Sequence, residues 1–194
     1  MTLLTKWDEN APASPTLETT DAETIREQLA GLGARFSRWE VKQLPENPSQ
    51  DEVLDLYRAE IDGVLEQEGY TLVDVVQLKQ QDGDDWAAKV TEARSKFLNE
   101  HRHDDDEDRF FALGSGVFYL RAEGSVYAVF CEAGDLISVP ANTTHWFDMG
   151  TDPEYVSVRF FHDDDGWVGH FTGSEVSKDF ATYDQLAERR AQLA

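Results

Sequence analysis

The chain has a single cysteine in 194 residues, Cys131, which excludes an internal disulfide and a thiolate-bound metal cluster. That scarcity fits a reducing compartment, and the cytoplasm is the expected location. Cys131 closes the apolar run Val126-Tyr127-Ala128-Val129-Phe130-Cys131, so it is expected to pack in a core rather than act as a nucleophile. Positive charge is scarce as well: 17 Lys and Arg face 39 Asp and Glu, for a formal net charge of -22. Such a surface repels phosphate backbones and anionic headgroups, so neither nucleic acid nor a membrane is an expected partner. The charge reads as a solubility trait that disfavours casual association, and a monomer is expected. No apolar run approaches the roughly 20 residues needed to span a bilayer. The opening Met1-Thr2-Leu3-Leu4-Thr5-Lys6-Trp7-Asp8-Glu9 lacks a basic region followed by an apolar core, so no secretory signal is expected. There is no repeat of solenoid length and no low-complexity tract.

What is present is enough apolar material for a core: 40% hydrophobic and 11% aromatic residues, on a chain long enough for one domain spanning 1–194. A possible short strand opens the chain, followed by a loop through Asn10-Ala11-Pro12-Ala13-Ser14-Pro15. Thr20 and Glu23 form a capping-box pattern ahead of Ala22, Ile25, Leu29 and Leu32, with Gly31 and Gly33 ending that helix. A strand is predicted near Phe36 to Val41. Ser49 and Glu52 give a second capping box, and Val53, Leu56, Tyr57, Glu60, Ile61, Val64 and Leu65 predict one longer helix stopped at Gly69. Thr71 to Leu78 reads as a strand, and Trp86, Val90, Ala93 and Phe97 as a helical stripe, with Trp86 and Val90 in the core. The pattern then changes to short strands: Arg109 to Leu113, Val117 to Ala122, Val126 to Cys131, Leu136 to Val139, His145 to Asp148 and Tyr155 to Phe161. Their close spacing between Gly, Asp and Pro predicts a jelly roll or small barrel. Residues 1–97 are expected to pack on that barrel, 98–173 to form its core, and 174–194 to make a tail ending in a polar helix, with Leu186 and Leu193 on its narrow apolar side.

The chemistry concentrates in His101-Arg102-His103-Asp104-Asp105-Asp106-Glu107-Asp108-Arg109. In an extended strand side chains alternate, so His101 and His103 share a face and Arg102 points away. Glu107 has the same parity and can add a carboxylate, although either neighbouring aspartate can replace it in a flexible loop. A fourth donor has to come from elsewhere, and His145, at the start of a later strand, is the candidate. Three neutral nitrogens and one carboxylate suit ferrous iron or nickel and leave two octahedral positions open. Asp104-Asp105-Asp106 otherwise reads as a solvated acidic loop, and His162 and His170 as ordinary strand or loop residues. Arg109 has two readings: a guanidinium facing an anionic substrate, or an ion pair with the acidic run. Phe97 lies near enough to the histidines to be a pocket wall, Phe147 and Trp167 are placed in the pocket, and Trp146 in the core. Phe110 is left between core and pocket.

The spacing matches His-x-His-x3-Glu-x6-Gly through Gly114, and Gly134, Pro140 and His145 follow Gly-x5-Pro-x-Gly-x2-His. These two linked motifs resemble those of the cupin superfamily, and the first one favours Glu107 over its neighbours. Ser95, Asn142 and Met149 depart from the pattern; Asn142 can still make the turn, because Asn tolerates a left-handed backbone. Lys96-Phe97-Leu98-Asn99-Glu100-His101, Glu107-Asp108-Arg109-Phe110-Phe111, Asp135-Leu136-Ile137-Ser138-Val139-Pro140 and His145-Trp146-Phe147-Asp148-Met149-Gly150 resemble the acireductone dioxygenase family. The likeness extends through Phe171-Thr172-Gly173 and back to Arg35-Phe36-Ser37-Arg38-Trp39, so it covers most of the chain. The resemblance implies a mainly β fold, a cupin (double-stranded β-helix, or jelly-roll) barrel with flanking N-terminal α-helices. It implies one Fe2+ or Ni2+ per chain on His101, His103, Glu107 and His145, with Arg109 toward the substrate. It also implies a methionine-salvage enzyme that cleaves acireductone, 1,2-dihydroxy-3-keto-5-(methylthio)pentene, with O2. The rivals are a cupin dioxygenase for another small substrate and a cupin that only binds a ligand.

Overall fold

A computed structural model describes residues 1–79, 84–163 and 168–193. In chain order its elements are β1 (Leu3–Asp8), β2 (Pro15–Thr19), α1 (Ala22–Ala30), β3 (Arg35–Arg38), α2 (Gln50–Leu56), α3 (Arg58–Glu68), β4 (Leu72–Leu78) and α4 (Asp84–Phe97). Then come β5 (His101–Arg102), β6 (Glu107–Ala122), β7 (Ser125–Glu132), β8 (Asp135–Val139), β9 (Thr144–Asp148), β10 (Tyr155–Phe161), β11 (His170–Phe171) and α5 (Tyr183–Leu193).

The 16 residues of β6 belong to two sheets. Its first half pairs antiparallel with β8 and β10, which carry β3 and β4 at their outer edges. Its second half pairs with β7 and β9, extending the other sheet to β1 and β2 on one side and to β5 and β11 on the other. The crossing point is Gly114, with φ +72, where an added Cβ would sit 1.9 Å from the Glu154 carbonyl oxygen. Only glycine takes this conformation and this close approach without strain. The bend also switches the strand's parity. Glu107, Arg109 and Phe111 face the interior before it, and Phe118 and Leu120 after it. Two strands were predicted here because Gly-Ser-Gly looks like a turn; the glycines bend one continuous strand instead.

Three apolar layers result. Between the sheets lie Leu4, Phe36, Phe111, Phe118, Val129, Ile137 and Phe147, with Cys131 fully buried among them. Val117, Tyr119, Val126 and Trp146, on the outer face of one sheet, are covered by Phe180 and by Leu186 of α5. Phe110, Val158 and Phe160, outside the other sheet, are covered by Val53 of α2, Ile61 of α3 and Tyr57 between the two helices. The mainly β barrel with N-terminal helices is thus as expected.

Several local boundaries differ from the sequence reading. The α1 cap is Asp21, whose carboxylate accepts from the Thr24 backbone N–H at 2.9 Å, rather than Thr20. The Ser49–Glu52 capping box is present. The helix after it is not continuous, because Tyr57 leaves helical geometry (φ -104, ψ 19) and its hydroxyl accepts the Lys42 backbone N–H at 2.9 Å. Gly69 does end α3, in a left-handed conformation. β2 follows directly on the Asn10–Pro15 loop where no strand is predicted, and β3 stops at Arg38, leaving Val41 exposed. Val90 is buried, whereas Trp86 is only partly so. Leu186 is buried in α5, but Leu193 is 53% exposed and packs no apolar face.

Candidate metal centre

His101, Arg102 and His103 alternate in, out, in, as an extended strand dictates, with both histidines 7% exposed and Arg102 in solvent. Across the β5–β9 pairing His101 stands opposite His145. Glu107 begins β6 beside them, 4% exposed. One donor atom from each of His101, His103, Glu107 and His145 lies within 4.8 Å of all the others. The turn that brings His145 in uses Asn142 at φ 62, the left-handed conformation expected of it.

The second ring nitrogen of each histidine fixes its tautomer. Nδ1 of His101 is 2.7 Å from the Asn99 carbonyl, that of His145 is 2.8 Å from Thr143, and that of His103 is 3.1 Å from Val168. A carbonyl oxygen only accepts, so each Nδ1 carries the proton and each Nε2 lone pair is turned toward the shared centre. Glu107 Oε2 faces those lone pairs, 3.0 Å from His145 Nε2 and 3.3 Å from His103 Nε2. With the three rings neutral, three nitrogen lone pairs and a carboxylate anion converge on one centre, a donor set complementary to a divalent cation, which would replace the Nε2 protons that otherwise hydrogen-bond Glu107.

Electrostatics reinforce that set. Burial and the neighbouring His145 depress the pKa of His101 to about 4. Burial acts the same way on His103, but the hydrogen bond and charge of Glu107 outweigh it and raise this pKa. Burial would raise Glu107, yet the Arg109 guanidinium and the His103 and His145 hydrogen bonds hold it well below the usual carboxylate range. Arg109 Nη2 lies 3.0 Å from Glu107 Oε1, and the guanidinium stacks 5.0 Å from the Phe147 ring centre. Arg109 therefore pairs with Glu107 rather than with the acidic run.

The four residues and Arg109 line a cavity of about 760 Å³, walled by Phe97 and Phe147 and by Leu72 and Phe161, which sequence reasoning missed. Phe97 and Phe147 meet edge to face at 6.2 Å. Trp167 lies outside the described residues. Trp146 packs away from the cavity, stacked on Tyr119 at 5.0 Å, and Phe110 is core against α2. The acidic run is solvated as expected at Asp104, whose side chain is 81% exposed, but Asp105 and Asp106 are half-buried. Asp104 is 3.1 Å from His170, Asp105 pairs with His162, and Asp106 accepts the Ala141 backbone N–H at 2.7 Å. Nothing in the sequence signalled those partners, which lie 35 to 66 positions away.

Two antiparallel sheets sharing a bent strand, with three imidazoles and a carboxylate at the base of a cavity between them, define a metal-binding barrel protein of the cupin kind. The sequence pattern of the ARD/ARD' family matches residues 9–169. The chain belongs to that family. It is 54% identical to the acireductone dioxygenase of Saccharopolyspora erythraea, covering 98% of this chain and all of that one. To the acireductone dioxygenase of Frankia alni it is 49% identical, over 100% of this chain and 95% of the relative. Among solved structures, an acireductone dioxygenase from Bacillus anthracis with a cadmium ion in its active centre superposes with a TM-score of 0.75. That pair is 28% identical, over 88% of this chain and 98% of the other.

Proposed function

We propose that this protein is an acireductone dioxygenase that holds one Fe2+ or Ni2+ on His101, His103, Glu107 and His145. The observation carrying this reading is a cation-seeking donor set at the base of a cavity that also presents a guanidinium and aromatic walls. When bound, the ion would supply Lewis acidity toward the enediol fragment. The chain does the rest. Arg109, buried and already beside Glu107, holds the anionic enediolate at the metal and offsets its charge in a site of low dielectric. Phe97 and Phe147 give the methylthio tail an apolar wall and exclude water. Products of the iron form would be formate and 4-methylthio-2-oxobutanoate; those of the nickel form, formate, carbon monoxide and 3-(methylthio)propanoate. A monomer is the proposed state, because the high net charge disfavours casual association. No helix among the described residues is long and apolar enough to cross a membrane, and the cytoplasm is the proposed location.

Metal analysis followed by oxygen uptake with acireductone, on iron- and nickel-loaded protein, tests the reading. Uptake is expected with either ion, and no uptake with both would remove it. In Arg109→Ala the metal content should persist while kcat/KM falls about 100-fold or more. Full turnover in that variant would remove the substrate role of the guanidinium.

A further inference from the structure

In a chain of net charge -22, the approach of an anion to the barrel is opposed over most of the surface. Most guanidinium groups are already committed: Arg35, Arg38, Arg94, Arg121, Arg159 and Arg190 all pair with carboxylates. Lys89 and Lys96, both exposed on α4, make no ion pair among the described residues. Their location is shared. They line a shallow cleft with Asn99 and Phe171, and Lys96 and Phe171 also line the cavity above the metal ligands. The cleft and the cavity are therefore contiguous at these two side chains. One carboxylate, Glu92, faces the two lysines in the cleft, so its local charge is opposite in sign to that of the whole chain.

We propose that this cleft is the entrance for the anionic substrate, with Lys96 and Lys89 drawing the anion in and Phe171, 54% exposed, receiving its apolar tail. The proposal rests on the acireductone reading for the identity of the anion. Its chemistry is more general: a small monoanion with an apolar end meets two ammonium groups and an aromatic edge before reaching Arg109. The two lysines are seven positions apart, about two helical turns, so they present charge to one approach path. Carboxylate products leaving the cavity would meet the same pair.

The test uses metal-loaded full-length protein with Lys96→Gln, Lys89→Gln, the double variant and Lys96→Arg. A remote control is Lys178→Gln, whose native lysine pairs with Glu175. In oxygen uptake with acireductone, kcat/KM of Lys96→Gln should fall about 3- to 10-fold at low ionic strength, more in the double variant. The deficit should shrink as salt rises from about 0.02 M to about 0.5 M, because charge attraction is screened. Lys96→Arg should restore most of it, and Lys178→Gln should match the wild type. A deficit of the same size at every salt concentration, or none, overturns the proposal. Calorimetric binding of 3-(methylthio)propanoate to the nickel-loaded protein separates the two claims. Absent oxygen uptake would remove the dioxygenase reading alone, whereas carboxylate binding indifferent to both lysines and to salt would remove the entrance.

Discussion

His101 and His103 share a burial and a purpose but are pushed in opposite directions, and the difference has a measurable consequence in the metal-free protein. The pKa of His101 is depressed from 6.5 to about 4, chiefly by burial. Its neutral form therefore contributes stability that is present above pH 6.5 and is lost as pH falls toward about 4. His103 is raised, so its contribution has the reverse sign: present below its unfolded value and lost as pH rises through the folded one. Thermal unfolding of the metal-free chain between these pH values should show a steeper acid loss of Tm in the wild type than in His101→Gln, where that titration is gone. Parallel curves would reject the assignment. At this scale the sequence was informative wherever strand parity decides orientation, as for His101, Arg102 and His103. It was silent on partners. Arg109 left two readings open, and the choice of Glu107 over the acidic run depends on where β6 starts relative to β8. Asp104 is solvated as read, whereas Asp105 and Asp106 looked solvated because their partners, His162 and the Ala141 backbone, are brought close only by the end of β10 and the Pro140 turn.

Elements were legible by period and punctuation, and failed where one residue performs two tasks. Ser49 and Glu52 capped α2 as predicted, since that motif is local. Tyr57 interrupted the following helix because its hydroxyl has a partner, the Lys42 backbone, on a separate segment. Gly114 is the most consequential case. Its neighbours Ser115 and Gly116 made it resemble a turn, yet both flanking runs are one strand serving two sheets. Gly114→Ala meets a positive φ and the Glu154 carbonyl at once. The conformational strain alone should cost about 1–3 kcal/mol, and the clash must displace β10 as well. Urea unfolding should show a lower midpoint, with metal affinity also reduced because the bend orients Glu107 and Arg109 against His145. An unchanged midpoint would mean that the bend is not set by this glycine.

At the scale of the whole molecule, composition anticipated a folded, acidic chain and the close spacing of short apolar runs a jelly roll or small barrel, but strand order could not be read from either. β1 lies between β2 and β7, more than a hundred residues from its second partner, and no local pattern encodes such a pairing. The charge itself carries the remaining consequence. Many cations are already paired, several with buried acids such as Asp108, Asp135 and Asp148, where added salt screens weakly. The excess carboxylates lie mainly at the surface and repel one another in the compact state. Raising salt from about 0.01 M to about 1 M shortens the screening length from about 30 Å to about 3 Å, which removes long-range repulsion while leaving the buried pairs largely intact. Tm should therefore rise with sodium chloride, and the gain should shrink as pH falls and the surface carboxylates are protonated. A fall in Tm at neutral pH would mean that the exposed ion pairs, such as Arg26–Glu23 and Arg58–Asp55, outweigh the net repulsion, against the small contribution expected of such pairs.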